Sequence, residues 1–262
     1  MTRIEQAFAR GKAFIPFITA GDPNLEITEQ LVLMLAEEGA DLIELGIPFS
    51  DPVAEGEVIQ RADERALSAG TTIDRIFAMV SRVRSTVSIP LAFMTYVNPV
   101  FTYGAARFLQ RCCETGVDAL IVPDLPFEEK GELLPYCRQY GVELISLIAP
   151  TSQDRIRMIA REAQGFIYCV SSLGVTGVRP EIGTDVREMV RLVKETRDIP
   201  CAIGFGISTP EQVAEMAQVA DGVIVGSAIV KIVERYGTEC VPPVAEYVRT
   251  LKEALVSGGR FC

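Results

Sequence analysis

The chain has 262 residues, a formal net charge of -10 and 48% hydrophobic residues. The acidic excess argues against a nucleic-acid partner, which would be bound through clusters of Lys and Arg, and it disfavours a membrane surface. No apolar run approaches the roughly 18 to 20 residues of a membrane-spanning helix. The first six residues lack the apolar core of a signal peptide, so we expect a cytoplasmic protein.

The residue types that the sequence lacks restrict the catalytic chemistry that is possible. Histidine is absent, which removes the commonest general base and the commonest metal ligand. The seven cysteines include no Cys-x-x-Cys pair, so they suggest neither a disulfide framework nor a zinc site. We therefore expect no metal, and acid–base chemistry must use carboxylates, Tyr, Lys or Cys.

Eight short apolar runs have the character of buried parallel strands, and segments with helical spacing separate them. The strands are predicted at residues 14–18, 42–45, 91–97, 119–122, 143–148, 166–171, 201–205 and 222–225. Helices are predicted at residues 27–38, 105–115, 153–163, 185–196 and 210–217. This order predicts one α/β domain over residues 1–262, a (β/α)8 TIM barrel with an extra N-terminal helix at residues 5–10. A doubly wound open sheet is the alternative.

The second predicted strand carries a carboxylate within an apolar run, Ile43-Glu44-Leu45. Because side chains alternate across a strand, Glu44 is expected to point away from its two neighbours, into the mouth of the barrel. Partial burial there raises the pKa of a carboxyl and suits it to proton transfer near neutral pH. The alternative is a structural charge satisfied by the backbone or by an Arg.

Glycine turns follow the last two predicted strands. Gly204-Phe205-Gly206 closes the seventh strand and Gly226-Ser227 closes the eighth. Barrels of this type bind phosphate at these two positions through backbone N–H groups, which glycine allows a ligand to approach closely. Ordinary tight turns are the alternative interpretation.

The sixth strand and its following loop add two candidates. Tyr168 is either a core aromatic residue or, if it faces the barrel mouth, a second proton-handling group. Residues 171–183 form a long, glycine-containing connection that is typical of either a lid or a plain flexible loop. The five lysines lie before a strand or on predicted helices, so none is placed to form a Schiff base. A carbon–carbon cleavage here would need the substrate itself to accept the electrons.

Five motifs occur in order at these barrel positions and together cover nearly the whole chain. They are PFITAGDP at residues 16–23, ELGIPFSDP at residues 44–52, GVTG at residues 174–177, GFGI at residues 204–207 and GSAIV at residues 226–230. With them the chain closely resembles the tryptophan synthase alpha subunit family.

The resemblance implies a lyase of tryptophan biosynthesis, which cleaves indole-3-glycerol phosphate to indole and glyceraldehyde 3-phosphate by a retro-aldol reaction. Protonation of indole C3 would make the ring the electron sink, with Glu44 as the proton shuttle and Tyr168 beside it. The resemblance also implies a set of substrate-binding residues. They are Phe17 and Ile121 at the indole, Thr176 on a closing lid, and Gly177, Phe205, Gly206, Gly226 and Ser227 at the phosphate.

One position departs from the family pattern. The second catalytic carboxylate of the family is usually Asp in an Asp-Gly-Pro loop, whereas this chain has Glu55-Gly56-Glu57. By resemblance, Glu55 would hold the indole N–H and spread the positive charge that forms on the ring. Its extra methylene requires the loop to retract by roughly one bond length, because errors of about 1 Å can cost ~100-fold in rate. Glu57 either raises the pKa of Glu55 as a like charge or remains solvated.

The resemblance implies a partner as well. The family partner is a beta subunit that carries pyridoxal phosphate, in an alpha-beta-beta-alpha heterotetramer, whereas this chain itself is expected to hold no cofactor. The partner-facing positions are Asp51, Pro52, Asn98, Asp124 and Pro126. Two alternatives are a stand-alone indole-3-glycerol phosphate lyase that releases free indole and a catalytically weak, ligand-sensing regulatory subunit.

Overall fold

The computed structural model describes residues 1–170, 184–204 and 206–258, in which eight parallel strands close into a barrel. The strands pair in chain order, and the first pairs with the eighth. They are β1 (Ala13–Thr19), β2 (Ile43–Gly46), β3 (Leu91–Met94), β4 (Ala119–Ile121), β5 (Glu143–Ile148), β6 (Ile167–Val170), β7 (Cys201–Gly204) and β8 (Gly222–Val225). The closed barrel confirms the predicted fold class and excludes the open sheet.

Helices connect the strands around the outside of the barrel. They are α1 (Arg3–Ala9), α2 (Leu25–Glu37), α3 (Glu57–Ser68), α4 (Ile73–Val83), α5 (Val97–Tyr103), α6 (Ala105–Thr115), α7 (Leu134–Tyr140), α8 (Gln153–Glu162), α9 (Thr184–Thr196), α10 (Pro210–Ala217), α11 (Ser227–Tyr236) and α12 (Val241–Gly258). Two short 3-10 helices lie at Phe127–Glu132 and Gly237–Glu239. Within the described ranges, no helix has the length and apolar character to cross a membrane.

The observed elements differ from the predicted ones between β2 and β4. The third strand was expected to reach residue 97, but it ends at Met94, and Val97 begins α5 instead. Pro99 lies in the first turn of that helix, where its missing N–H costs no hydrogen bond. The long gap before β3 contains both α3 and α4 in addition to the carboxylate-rich loop.

The extra N-terminal helix packs against the N-terminal end of the barrel interior. Thr2 and Glu5 form a capping box that starts α1. Ile4 is fully buried in the interior cluster, and the rings of Phe8 and Phe166 lie 5.4 Å apart. The helix therefore covers one end of the barrel with apolar side chains.

The strands separate two apolar layers. Side chains that point outward, such as Ile43, Leu45 and Phe93, pack against the helices in the larger cluster. Side chains that point inward, including Ile15 and Ala92, form a smaller cluster inside the barrel. This alternation decides which side chain of each strand can reach the interior.

We expect the Ile4→Ala substitution to lower the free energy of unfolding by about 2–5 kcal/mol, because it leaves a cavity under α1. The matched control is Gln6→Ala, an exposed position on the same helix, for which the change should stay within about 0.5 kcal/mol. Urea unfolding followed by circular dichroism measures both. Equal stability of the two variants would show that α1 does not seal the interior.

Candidate active site

Glu44 lies in the middle of β2 and points into the barrel. Its neighbours Ile43 and Leu45 belong to the outer layer, so the alternation of the strand directs the carboxyl inward. Across the sheet, Glu44 pairs with Phe17 on β1 and with Ala92 on β3. The small alanine leaves space for the longer glutamate side chain.

The Glu44 carboxyl is cut off from water. The residue is fully buried, and neither carboxyl oxygen has a hydrogen-bond partner among the described residues. Burial disfavours the charged form and raises the pKa of Glu44 to about 8. At neutral pH this carboxyl is therefore mostly protonated, and it holds a proton that it can donate.

Tyr168 on β6 is another polar group that lines the cavity inside the barrel. It belongs to the interior cluster, pairs with Ala202 on β7 and is only 4% exposed. Burial first, and then the nearby Glu44 carboxylate, raise the pKa of Tyr168 well above its ordinary value. The phenol thus remains a neutral donor next to the buried acid.

These two groups line a cavity of about 910 Å³, whose walls are mainly apolar. The described lining residues around the two groups are Phe17, Ile59, Met94, Ile224, Glu55, Gly206, Gly226 and Ser227. The cavity also continues beside β5, where Leu134, Leu144 and Ile159 line it. An apolar cavity with a few convergent polar groups is the usual form of a small-molecule site.

One part of the cavity wall has backbone N–H groups that point to an anion as the matching ligand. Ser227 begins α11, and its amide and that of Ala228 lie in the first turn, where backbone N–H groups have no acceptor within the helix. The helix dipole adds partial positive charge at the same point. Gly206, with φ of 75°, brings the chain after β7 to the same cavity. The two predicted glycine turns thus meet at one place.

Glu55 lies in the loop between β2 and α3, and side chains from other elements lie beside its carboxyl. The Asp63 carboxyl and the Tyr96 hydroxyl are the side-chain groups that lie beside its carboxyl. The Tyr96 hydroxyl accepts a hydrogen bond of 3.0 Å from the Ala54 N–H, which fixes it beside the loop. Burial raises the pKa of Glu55, and the two neighbours oppose that rise.

Glu57 remains solvated, one of the two predicted outcomes for this residue. Its side chain is 92% exposed, and it lies 3.9 Å from Arg61 at the start of α3. The carboxyl that faces Glu55 is that of Asp63 instead. Asp63 and Tyr96 were not among the predicted site residues, although Asp63 falls among Ile59, Ala62 and Ala66 on the buried face of α3. A carboxylate at helical spacing on an apolar face was the available signal.

The remaining predicted substrate-binding residues fall into two groups. Ile121 is fully buried beside Ile145 and Tyr168 in the barrel interior and is not part of the described cavity lining. Thr176, Gly177 and Phe205, with the rest of the predicted lid at 171–183, lie outside the described residues.

The predicted partner-facing residues follow β2, β3 and β4, with Asn98 in the first turn of α5 and the others in loops. Asp51, Asn98, Asp124 and Pro126 are exposed and Pro52 is half-buried. The Val97 N–H donates a 3.0 Å hydrogen bond to Asp124, which ties the loop after β3 to the loop after β4.

Barrel enzymes place their reactive groups at the C-terminal ends of the strands, and the polar groups of this chain gather there. Comparison with known proteins gives the particular family. The chain matches the family model described as Tryptophan synthase alpha chain over residues 5–256. It is 52% identical to the tryptophan synthase alpha chain of Shouchella clausii, over 91% of this chain and 88% of that one. It is 48% identical to that of a Geobacter species, over 99% and 100% of the two chains.

Solved structures agree with these sequence relatives. The alpha subunit from Legionella pneumophila superposes with a TM-score of 0.88 at 37% identity, over 98% of this chain and 99% of that one. A chain of the Pyrococcus furiosus tryptophan synthase complex gives a TM-score of 0.85 at 37% identity, over 93% and 99% of the two chains. The chain therefore belongs to the tryptophan synthase alpha chain family and is an enzyme of tryptophan synthesis.

Gly204 is the position that leaves room for Tyr168, since a Cβ added there would lie 2.4 Å from the phenol oxygen. We expect Gly204→Ala to displace the buried ring and to lower the free energy of unfolding by about 1–3 kcal/mol. Gly131→Ala is the matched control, because its added Cβ meets no atom within 4 Å. Chemical denaturation of both variants tests this, and an unchanged midpoint for Gly204→Ala would contradict the tight packing of Tyr168.

Proposed function

We propose that this chain is the carbon–carbon lyase that cleaves indole-3-glycerol phosphate to indole and glyceraldehyde 3-phosphate. Its family membership supports the proposal, and one structural observation carries it. A neutral buried acid, Glu44, faces the same apolar cavity as the N-terminus of α11. A substrate with a flat apolar ring at one end and a phosphate at the other matches that combination.

The proposed reaction uses the proton on Glu44. Transfer of this proton to indole C3 forms an indoleninium ion, whose ring then accepts electrons. Loss of the proton from the adjacent glycerol hydroxyl forms the aldehyde, and the electrons of the broken carbon–carbon bond restore the aromatic ring. Glu44, now a carboxylate, is placed to take up the hydroxyl proton, so the enzyme returns to its starting state.

Two further groups assist in this proposal. Glu55 accepts the indole N–H and stabilises the positive charge that develops on the ring, as its place on the cavity wall allows. Tyr168 lies beside Glu44 as a neutral donor and helps to orient the reacting atoms. Phe17 lies against the apolar ring, and Ile121 supports that region of the barrel from the interior.

The phosphate is proposed to bind the backbone amides at Ser227 and its neighbours, with Gly206 and Gly226 allowing close approach. Gly177 and Phe205 are proposed to add further amides, and Thr176 to close over the site. Amides suit an acidic chain because they bind an anion without an added Lys or Arg.

We also propose a beta-subunit partner that carries pyridoxal phosphate, with no cofactor in this chain, in an alpha-beta-beta-alpha assembly in the cytoplasm. A solved Pyrococcus furiosus relative, 38% identical, is described as a mutually activating α2β2 tryptophan synthase complex. The exposed residues Asp51, Asn98 and Asp124 lie after the strands β2, β3 and β4. Contact there would bias the loop that carries Glu55.

The Glu44→Gln substitution tests the proposed acid. We expect kcat for indole release to fall by about 100-fold or more, because the amide cannot transfer a proton to C3. In the wild-type protein, kcat/KM should fall as the pH rises through about 8, since the raised pKa keeps Glu44 protonated only below that value. Glu57→Gln, which removes an exposed carboxylate nearby, serves as the control. Retained activity in Glu44→Gln would refute the assignment.

The partner proposal has a separate test. Addition of a beta subunit should raise the rate of indole formation from indole-3-glycerol phosphate, because docking would favour the active arrangement of the loops. The assay compares the pure chain with the reconstituted mixture at a fixed substrate concentration. A high rate that the partner leaves unchanged would instead identify a stand-alone lyase.

A further inference from the structure

Asp63 is a buried carboxyl that the proposed reaction does not use. It is 4% exposed and lies on the apolar face of α3. The two arginines of that helix pair with other carboxylates: Arg61 with Glu234, and Arg65 with Asp22 through two 2.8 Å hydrogen bonds. Asp63 therefore has no cation to balance a negative charge among the described residues that face it.

The groups around Asp63 come from three parts of the chain. The Glu55 carboxyl and the Phe49 N–H face it from the loop between β2 and α3. Asp22, after β1, adds a second negative charge, and Tyr96 contacts the other side of Glu55 at the start of α5. Apart from the Phe49 N–H, these surroundings favour a neutral carboxyl.

Two carboxyl groups in hydrogen-bonding range and away from water do not both ionise, since the charges repel and neither group has a proton to donate. With every carboxyl ionised, Oε2 of Glu55 is a buried oxygen that has no hydrogen-bond partner among the described residues. A single proton held between Glu55 and Asp63 removes the repulsion and provides a donor.

The geometry indicates which group holds that proton. Glu55 lines the cavity and has the Tyr96 hydroxyl beside it, so its charged form is the better supported of the two. Asp63 lies behind it, outside the described cavity lining. Burial and the Glu55 carboxylate raise the pKa of Asp63 to about 9, in agreement with this order.

We propose that Asp63 is a positioning residue that donates its carboxyl proton to Glu55 and so presents Glu55 to the substrate as a carboxylate in a fixed orientation. The hydrogen bond restrains the longer glutamate side chain from behind. The identity of the substrate rests on the proposed function, but the shared proton is a property of the free protein.

The proton can be measured without any substrate. Infrared spectra at pH 7 should show a protonated-carboxyl band in the wild-type protein that is reduced in Asp63→Asn. Glu64→Gln is the matched control, because Glu64 is the exposed neighbour on the same helix, and this variant should leave the band unchanged. A band of equal intensity in wild type and Asp63→Asn would overturn the proposal, whether or not the protein cleaves indole-3-glycerol phosphate.

Kinetics then test the effect on Glu55. Asp63→Asn keeps an N–H donor and should retain a kcat close to wild type, whereas Asp63→Ala leaves Glu55 unrestrained and should lower kcat by about 10- to 100-fold. The pH profile of Asp63→Asn should lose the ionisation near 9 and keep the one assigned to Glu44. Circular dichroism verifies that both variants fold. Equal loss of activity in two folded variants, or no loss in Asp63→Ala, would contradict the positioning role.

Discussion

The removal of Glu44 from water is the interaction on which the rest of the site depends. The Glu44 carboxyl in β2 has no hydrogen-bond partner among residues 1–170, 184–204 and 206–258, so it avoids the large cost of a buried charge by keeping its proton. The same burial that makes this side chain costly to the fold makes it a donor near neutral pH. The apolar layers on both sides of the strands supply the stability that allows one such group.

The two carboxyls of the candidate site, Glu44 and Glu55, have different surroundings. Glu44 has no hydrogen-bond partner within the described part of the chain and keeps its proton, whereas Glu55 has Asp63 and Tyr96 beside it and, in our proposal, is an anion. In the proposed reaction, these opposite protonation states let one carboxyl donate a proton while the other stabilises the positive charge that forms on the ring. Neither metal nor imidazole enters the proposed steps.

Much of this arrangement follows from local sequence patterns. Alternation along β2 predicts the direction of Glu44, and the spacing of the apolar runs predicts the barrel that brings the turns after β7 and β8 together. The contact between Glu55 and Asp63 was not predictable in this way, because it depends on how α3 packs after a loop. The predicted third strand also extended beyond the observed end of β3. A short apolar run such as residues 91–97 is compatible with either a strand or a helix, so its pattern does not fix where the strand ends.

The packing of α1 against the barrel interior contributes to the stability of the fold at a place away from the candidate active site. Apolar packing at the N-terminal end of the barrel involves Ile4, Phe8 and Phe166. This end is opposite to the C-terminal strand ends, where the candidate site lies. Changes that make the protein more resistant to heat can therefore be introduced at that end without altering Glu44, Glu55 or the start of α11. Engineering for stability has its safest starting point there.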